Sequence, residues 1–319
     1  MIYTLENDVL KIDISSIGCT IVKYIDKKTN TDIVLGFETE KEYLEKGACH
    51  FGACVGRCAN RIKDARFTLN GEEYHLTDND GGNTLHSGSA DLSFKDYELV
   101  EYTKDKLSLK TVDEDGHGGF PGNLEVIITY ELKDNELTVS FEGESDKDTI
   151  FNFTNHSYFN LNGKGDILND ELRVYTDKLN LANANVASEE VINVRGTSFD
   201  FLDYKKIGDN LKLNHPNLSN GGIDHNYYFE NMDDKKTASY RNDKLELEVY
   251  SDMPGMQVYT ANYVDNVEGK YNQLYQKFGG ICFESQFCPN SINYDKFIKP
   301  VLNKNTRVKH YIRFVLNQR

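Results

Sequence analysis

The chain has 319 residues and carries 36 Lys and Arg against 51 Asp and Glu, a formal charge of −15. That balance excludes nucleic acid and anionic membrane surfaces as partners, because affinity for either rests on basic side chains neutralising phosphates. Apolar residues at 39% and aromatics at 12%, all of them Tyr or Phe since Trp is absent, exclude a disordered chain and fit a soluble globular protein. Met1 to Glu6 lacks the basic start and apolar run of a signal peptide, and no stretch nears the ~18 apolar residues of a membrane span, so the cytoplasm is the expected location.

Taken in chain order, the predicted elements are mostly short runs of period-two alternation. Val9 to Ile14 is the first clear strand. Thr39 to Lys46 is the one convincing helix, with Glu42 and Lys46 at i,i+4. Cys49-His50, Cys54 and Cys58 crowd together, but their spacing fits no usual zinc pattern, and they read as small buried thiols. Gly56 to Ile62 and Asp80 to Gly88 are glycine-bearing loops that carry Arg61 and His86. Neither is a phosphate loop, for want of GxxxxGK[ST], and Asp78 to Gly81 lacks the Glu that ends a calcium loop. Asn70-Gly71 predicts a tight hairpin between its flanking strands.

Strands follow at Leu107 to Val112, Leu124 to Leu132 and Leu137 to Glu142, the last two joined at Asp134-Asn135. Further on come the polar loops Lys178 to Glu190 and Asn231 to Lys236, a hairpin at Asn242-Asp243, and strands at Leu245 to Tyr250 and Arg307 to Leu316. With only five prolines, no linker and no internal repeat, residues 1–319 read as a single all-β domain, a large antiparallel β-sandwich with few short helices.

Two segments break the apolar pattern with chemistry-bearing residues. In Thr149 to Leu161, alternation puts Phe151, Phe153, Ser157, Phe159 and Leu161 on one face and Asn152, Thr154, His156, Tyr158 and Asn160 on the other. A polar, hydrogen-bonding face of this kind suits a sugar, and a solvated outer face or a structural histidine gives the same pattern. In Gly279 to Pro289, Glu284 shares a face with Cys282, Gln286 and Cys288 in a strand otherwise fit for burial. A carboxylate is costly to bury unless it is paired or has a task, which makes Glu284 a candidate general base, with an ion pair to an unseen Lys or Arg as the alternative.

The motifs GRCANRI, NTLHSG, GGFPGNLEV, FNFTNHSYFNLNG, RGTSFDF, GGIDHNYYF, MQVYTANY and ICFESQFCPNSIN occur in this order between about Phe51 and Pro300. Together they resemble the aldose 1-epimerase (galactose mutarotase) family. The resemblance implies a concave sugar site without metal or organic cofactor, and interconversion of the α and β anomers of a free aldohexose. It implies His156 as general acid and Glu284, of ESQ where the family usually has ETQ, as general base. It also implies that Asn60, Arg61, His86, Asp224 and Gln257 hold sugar hydroxyls or the ring oxygen. The expected partner is a small-molecule sugar, and the expected assembly a monomer or homodimer. Two departures stand out. The chain has LHSG and no following Trp, leaving Phe94, Tyr97 or another ring to wall the site, and Leu181 to Glu190 replaces an expected Pro- and Gly-bearing loop.

Rival readings are a hexose-6-phosphate epimerase, which needs convergent cations such as Arg57, Arg61, Lys63 and Arg66, and a non-catalytic carbohydrate-binding module, which has no use for His156 and Glu284 together. Glycoside hydrolysis usually requires a carboxylate pair, and only Glu284 is clearly placed.

Overall fold

The computed structural model describes residues 1–183 and 186–319. Alternating apolar side chains build its strands as the sequence predicts. In Leu124–Lys133, Leu124, Val126, Ile128, Tyr130 and Leu132 turn inward. That strand pairs with Glu136–Ser145 around Asp134, whose φ of 51° closes the turn. Asn70 and Gly71, with φ of 53° and 82°, close the hairpin of Arg66–Leu69 and Glu72–His75. Each fully buried Val, Leu, Ile or Phe contributes about 1.5–3 kcal/mol.

Three antiparallel sheets carry the fold. The largest has nine strands, in the order Glu98–Tyr102, Lys106–Asp113, Leu124–Lys133, Glu136–Ser145, Arg307–Gln318, Leu245–Ser251, Lys235–Arg241, Glu171–Val174 and Lys205–Lys206. A six-stranded sheet runs Tyr158–Phe159, Ile281–Gln286, Gly255–Tyr259, Asp224–Tyr228, Lys178–Asn183 and Val186–Asn193. The third holds the first four strands, Ile2–Glu6, Leu10–Ser15, Thr20–Asp26 and Thr31–Asp32. Phe159 sits where the three meet, its ring 5.0 Å from Phe314, 6.3 Å from Phe283 and 6.3 Å from Tyr24. One face of the 281–286 strand thus turns Phe283 toward the nine-stranded sheet, and the other turns Glu284 away from it.

Several sequence expectations need correction. The Thr149 to Leu161 segment is not one alternating strand, and its alternative reading as a solvated outer face does not hold. It passes from partner to partner as Thr149–Ile150, Thr154–Asn155 and Tyr158–Phe159, pairing in turn with Val301–Leu302, Cys54–Val55 and Ile281–Cys282, and it is buried throughout. Lys178 to Glu190 is not a loop. Its described part lies in the strands Lys178–Asn183 and Val186–Asn193 at the edge of the six-stranded sheet, where one-sided solvation permits the polar side chains that disguised the period; residues 184–185 lie outside the described residues. Asn231 to Lys236 is loop only until the strand that begins at Lys235. The predicted helix is Glu40–Glu45, started by a Thr39–Glu42 capping box, and a second short helix, Ile207–Leu211, lacked a sequence signal because its N-cap is Lys206.

The GRCANRI segment is held from behind by Arg57. Its fully buried guanidinium meets Asp113 Oδ2 at 2.7 Å and donates to the Pro121 carbonyl at 2.7 Å, the Gly122 carbonyl at 3.1 Å and Thr149 Oγ1 at 3.2 Å. Just before it, a Cβ on Gly56 would lie 2.2 Å from the buried Phe153 ring. Gly56→Ala should therefore destabilise the fold by about 1–3 kcal/mol, read as a lower thermal midpoint; an unchanged midpoint contradicts this packing.

Candidate active site

Two loops, three strands of the six-stranded sheet and the segment that carries His156 converge on one cavity of about 160 Å³, and all seven residues singled out by the sequence line it: Asn60, Arg61, His86, His156, Asp224, Gln257 and Glu284. The loops are paired to each other. Arg61 and Ile62 form a ladder with Leu85 and Thr84, the His86 amide donates to the Asn60 carbonyl at 3.0 Å, and the Asn60 amide donates to His86 Nδ1 at 3.2 Å. Asn60 and His86 both take left-handed backbone, φ 63° and 50°, which turns the chain at the cavity edge. Arg61 is anchored by Asp80, Nε to Oδ2 2.7 Å, so the acidic stretch set aside as a calcium loop serves to orient a guanidinium.

His156 is fixed by its backbone. Its amide donates to the Ala53 carbonyl at 2.8 Å and its carbonyl accepts from Gly52 at 3.0 Å, while the neighbouring Asn155 side chain donates to the Gly52 carbonyl at 2.9 Å. Gly52 has φ 72°, and a Cβ there would meet the Ile21 carbonyl at 2.1 Å, so only glycine lets this strand pass. The imidazole stacks on Tyr158 at 5.1 Å, with Cys282 Sγ 3.6 Å from Nδ1.

Across the sheet, Glu284 lies directly opposite Gln257, and Asp224 opposite Tyr259, so the strands present both carboxylates on the cavity side. Gln257 Nε2 donates to Asp224 Oδ1 at 2.7 Å. Glu284 Oε2 stands 3.6 Å from His156 Nε2, beyond a direct hydrogen bond, so each atom remains free to address a third group. No Lys or Arg forms an ion pair with Glu284 among the described residues, which removes the structural alternative for that carboxylate.

Burial governs the protonation of this pair. It drives the His156 imidazolium down to about 3, helped by the nearby His50. The Glu284 carboxyl is pushed well up, first by burial and then by the charge of Asp224, with Arg61 opposing. Asp224 is also raised by burial, against its Gln257 hydrogen bond. His86 is held neutral by burial and by the neighbouring His50, His156 and Arg61. These surroundings therefore favour a neutral imidazole beside a protonated carboxyl, one proton shared between two groups.

His86, His156 and Glu284 place ligand atoms within 4.8 Å of one another, close enough to consider a metal. With Nδ1 of His86 accepting from the Asn60 amide, its neutral ring keeps the proton on Nε2 and is a donor there. That tautomer suits a hydroxyl oxygen and not a cation.

Sequence reasoning missed His50. Its Nε2 meets Asp91 Oδ2 at 2.8 Å, and its ring lies 5.0 Å from His86, 5.9 Å from His156 and 5.5 Å from Phe94. The Cys-rich stretch around it raised only the metal question, and the Asp91 contact, 41 residues away, has no local signal. Rings do wall the site, but they are Tyr158, Tyr259 and Tyr263, with Phe94 outside His50. Tyr97 is buried in the core and cannot replace the missing Trp. The four-cation cluster also disperses: Arg57 pairs with Asp113 behind the loop, Arg66 reaches Glu73 at 3.8 Å on the surface, Lys63 is exposed, and Arg61 alone faces the cavity.

The family model for aldose 1-epimerase matches residues 1–315. The chain is 36% identical over 329 residues to galactose mutarotase of Sus scrofa, covering 99% of this chain and 93% of that protein, and 31% identical over 276 residues to aldose 1-epimerase of Escherichia coli (strain K12), covering 84% and 80%. A solved galactose 1-epimerase from Lactobacillus acidophilus NCFM superposes with a TM-score of 0.85 at 27% identity, over 99% of this chain and 93% of that one. An aldose epimerase homologue from C. elegans shares the fold at a TM-score of 0.92 and 24% identity, over 100% and 99%. A large antiparallel sandwich, eight motifs in family order and matches along nearly its whole length make one conclusion: the chain belongs to the aldose 1-epimerase family.

Proposed function

We propose that this isomerase interconverts the anomers of free aldohexoses such as galactose or glucose in the cavity between His156 and Glu284. The observation that carries the reading is the His156 to Glu284 gap of 3.6 Å, both groups buried and lining the same chamber as Asn60, Arg61, His86, Asp224 and Gln257, side chains whose donors and acceptors suit sugar hydroxyls. Ring opening needs a proton taken from the anomeric hydroxyl and another delivered to the ring oxygen. With the shared proton on His156, the Glu284 carboxylate takes the O1 proton, the C1–O5 bond breaks, and His156 protonates O5. The open aldehyde then turns about C1–C2, and the two groups reverse their roles to close the other anomer. The open form leaves the proton on the carboxyl and the imidazole neutral, the distribution that burial favours. Asn60, Arg61, His86, Asp224 and Gln257 hold the rest of the ring, so that only C1 turns. The full chain, acting as one catalytic domain in the cytoplasm as a monomer or homodimer, completes the proposal.

A phosphorylated substrate fits less well, since a phosphate dianion calls for convergent cations, and among the described residues Arg61 is the one Lys or Arg lining the chamber, already paired with Asp80. Polarimetry on fresh α-D-galactose and on its 6-phosphate separates the two: the reading expects acceleration of the free sugar with a clear preference over the phosphate, and the reverse preference overturns it. The pH profile is a second test. Activity should persist well below pH 6.5, because His156 titrates near 3, and should fall at alkaline pH when the pair loses its one proton. An acid limb centred near 6.5 contradicts this assignment.

A further inference from the structure

On the reading of His156 as general acid, we infer that His50, clamped by Asp91, is a positioning residue that fixes the plane of the His156 imidazole at the reacting edge of the sugar. A working imidazole is ordinarily oriented by a carboxylate or carbonyl on the ring nitrogen that faces away from the reaction. His156 has neither among the described residues. Its Nε2 stands 3.6 Å from Glu284, and its Nδ1 meets the Cys282 thiol, also at 3.6 Å, a weak partner that leaves the ring free to turn. The carboxylate that would orient it lies one ring away, on His50.

Packing takes over the task. The rings of Tyr158 and His50 lie nearly parallel to His156, at 5.1 and 5.9 Å and tilted by 22° and 24°. Both are themselves tied down. The Tyr158 hydroxyl donates to the Cys49 carbonyl at 2.9 Å, and His50 Nε2 meets Asp91 Oδ2 at 2.8 Å, the two side chains being 15% and 10% exposed. Asp91 is held in turn, its Oδ1 accepting from the Ser93 amide at 2.9 Å. The backbone joins the two histidines, since the Ala53 amide donates to the His50 carbonyl at 3.1 Å and the His156 amide to the Ala53 carbonyl at 2.8 Å. Asp91 belongs to the segment that follows His86, whose ring lies 5.0 Å from His50, so one ion pair locks both cavity imidazoles to the same frame.

The placement also acts on charge. The titratable groups against His156 are Glu284 and Cys282 on the 281–286 strand, Tyr158 beside it, Tyr259 on the 255–259 strand, and His86 and His50 on the loops. Of these, His50 adds most to burial in opposing a proton on His156. Without it His156 holds its proton more tightly, and the acid limb of the pH profile moves up from about 3.

The test is polarimetry on α-D-galactose with His50→Gln, whose amide reaches Asp91 but offers no ring. Its kcat should fall about tenfold or more with KM within about twofold, and its acid limb should lie at higher pH than that of the wild-type protein. His50→Phe/Asp91→Leu restores a flat ring without leaving a buried carboxylate unpaired, and should regain most of the lost kcat. Thermal unfolding checks that each variant is folded. Should His50→Gln fail to fold, Asp91→Asn, which keeps the contact and removes the charge that locks it, should lower kcat about threefold or more at constant KM. A wild-type kcat in either single variant, a loss confined to KM, an acid limb that stays in place in His50→Gln, or a double variant as slow as His50→Gln overturns the positioning role and leaves the reading of His156 standing. A wild-type protein that does not accelerate galactose overturns both.

Discussion

Glu284→Gln should lose about 10² to 10⁴ in the rate of anomer interconversion and, at pH 8, unfold at a higher temperature than the wild-type protein. The amide keeps the volume of the side chain but cannot take the O1 proton. The gain in stability follows from the raised pKa of a carboxyl that is 2% exposed. In the unfolded chain this group titrates near about 4.3, and in the folded protein well above that. The folded state therefore binds the proton more tightly, and stability falls as pH rises from the unfolded value through the folded one. Above that window the native protein carries a buried carboxylate facing Asp224, a cost that the neutral amide of the variant never incurs. The difference in midpoint between variant and wild type should widen from pH 5 to pH 8, as measured by calorimetry. Retained activity would remove Glu284 from the chemistry, and a midpoint lowered at pH 8 would contradict the electrostatic account.

The largest loss of stability is expected from Arg57→Met. Breaking a buried ion pair typically costs about 3–5 kcal/mol, because the remaining charge is left without compensation. Here Asp113, fully buried, would keep only His117, whose Nδ1 stands 2.5 Å from Oδ1, and the Pro121 and Gly122 carbonyls would lose their donor. The GRCANRI loop that positions Asn60 and Arg61 sits on this anchor, so the soluble folded fraction and the activity should fall together. The double variant Arg57→Met/Asp113→Leu should recover part of the stability, since no buried carboxylate is then unpaired. A single variant as stable as the wild type, measured by denaturant unfolding, would show that the pair is not the anchor.

What was legible in the sequence depended on whether the signal was local. Glu284 and His156 stood out because a titratable side chain inside an apolar strand is costly and so informative. The strands of the nine-stranded sheet were legible because one face is buried and period two survives. Arg57 and Arg61, four residues apart in one motif, have opposite fates that no spacing rule separates: one reaches Asp113 in the interior and the other Asp80 at the cavity edge. The 154–159 segment is irregular because its backbone serves two partners in succession, a tertiary fact. His50 was missed for a similar reason, since its place against His86 and His156 exists only once distant loops meet. The charge of −15 is compatible with the proposed function, since a free aldohexose is neutral and needs no electrostatic steering.

The most direct test is the decay of optical rotation of fresh α-D-galactose with purified protein, alongside His156→Ala and Glu284→Gln, each shown to be folded. The account predicts a wild-type rate far above buffer and the loss of most of it in both variants. A wild-type rate equal to buffer, or variants that keep the full rate, would contradict it.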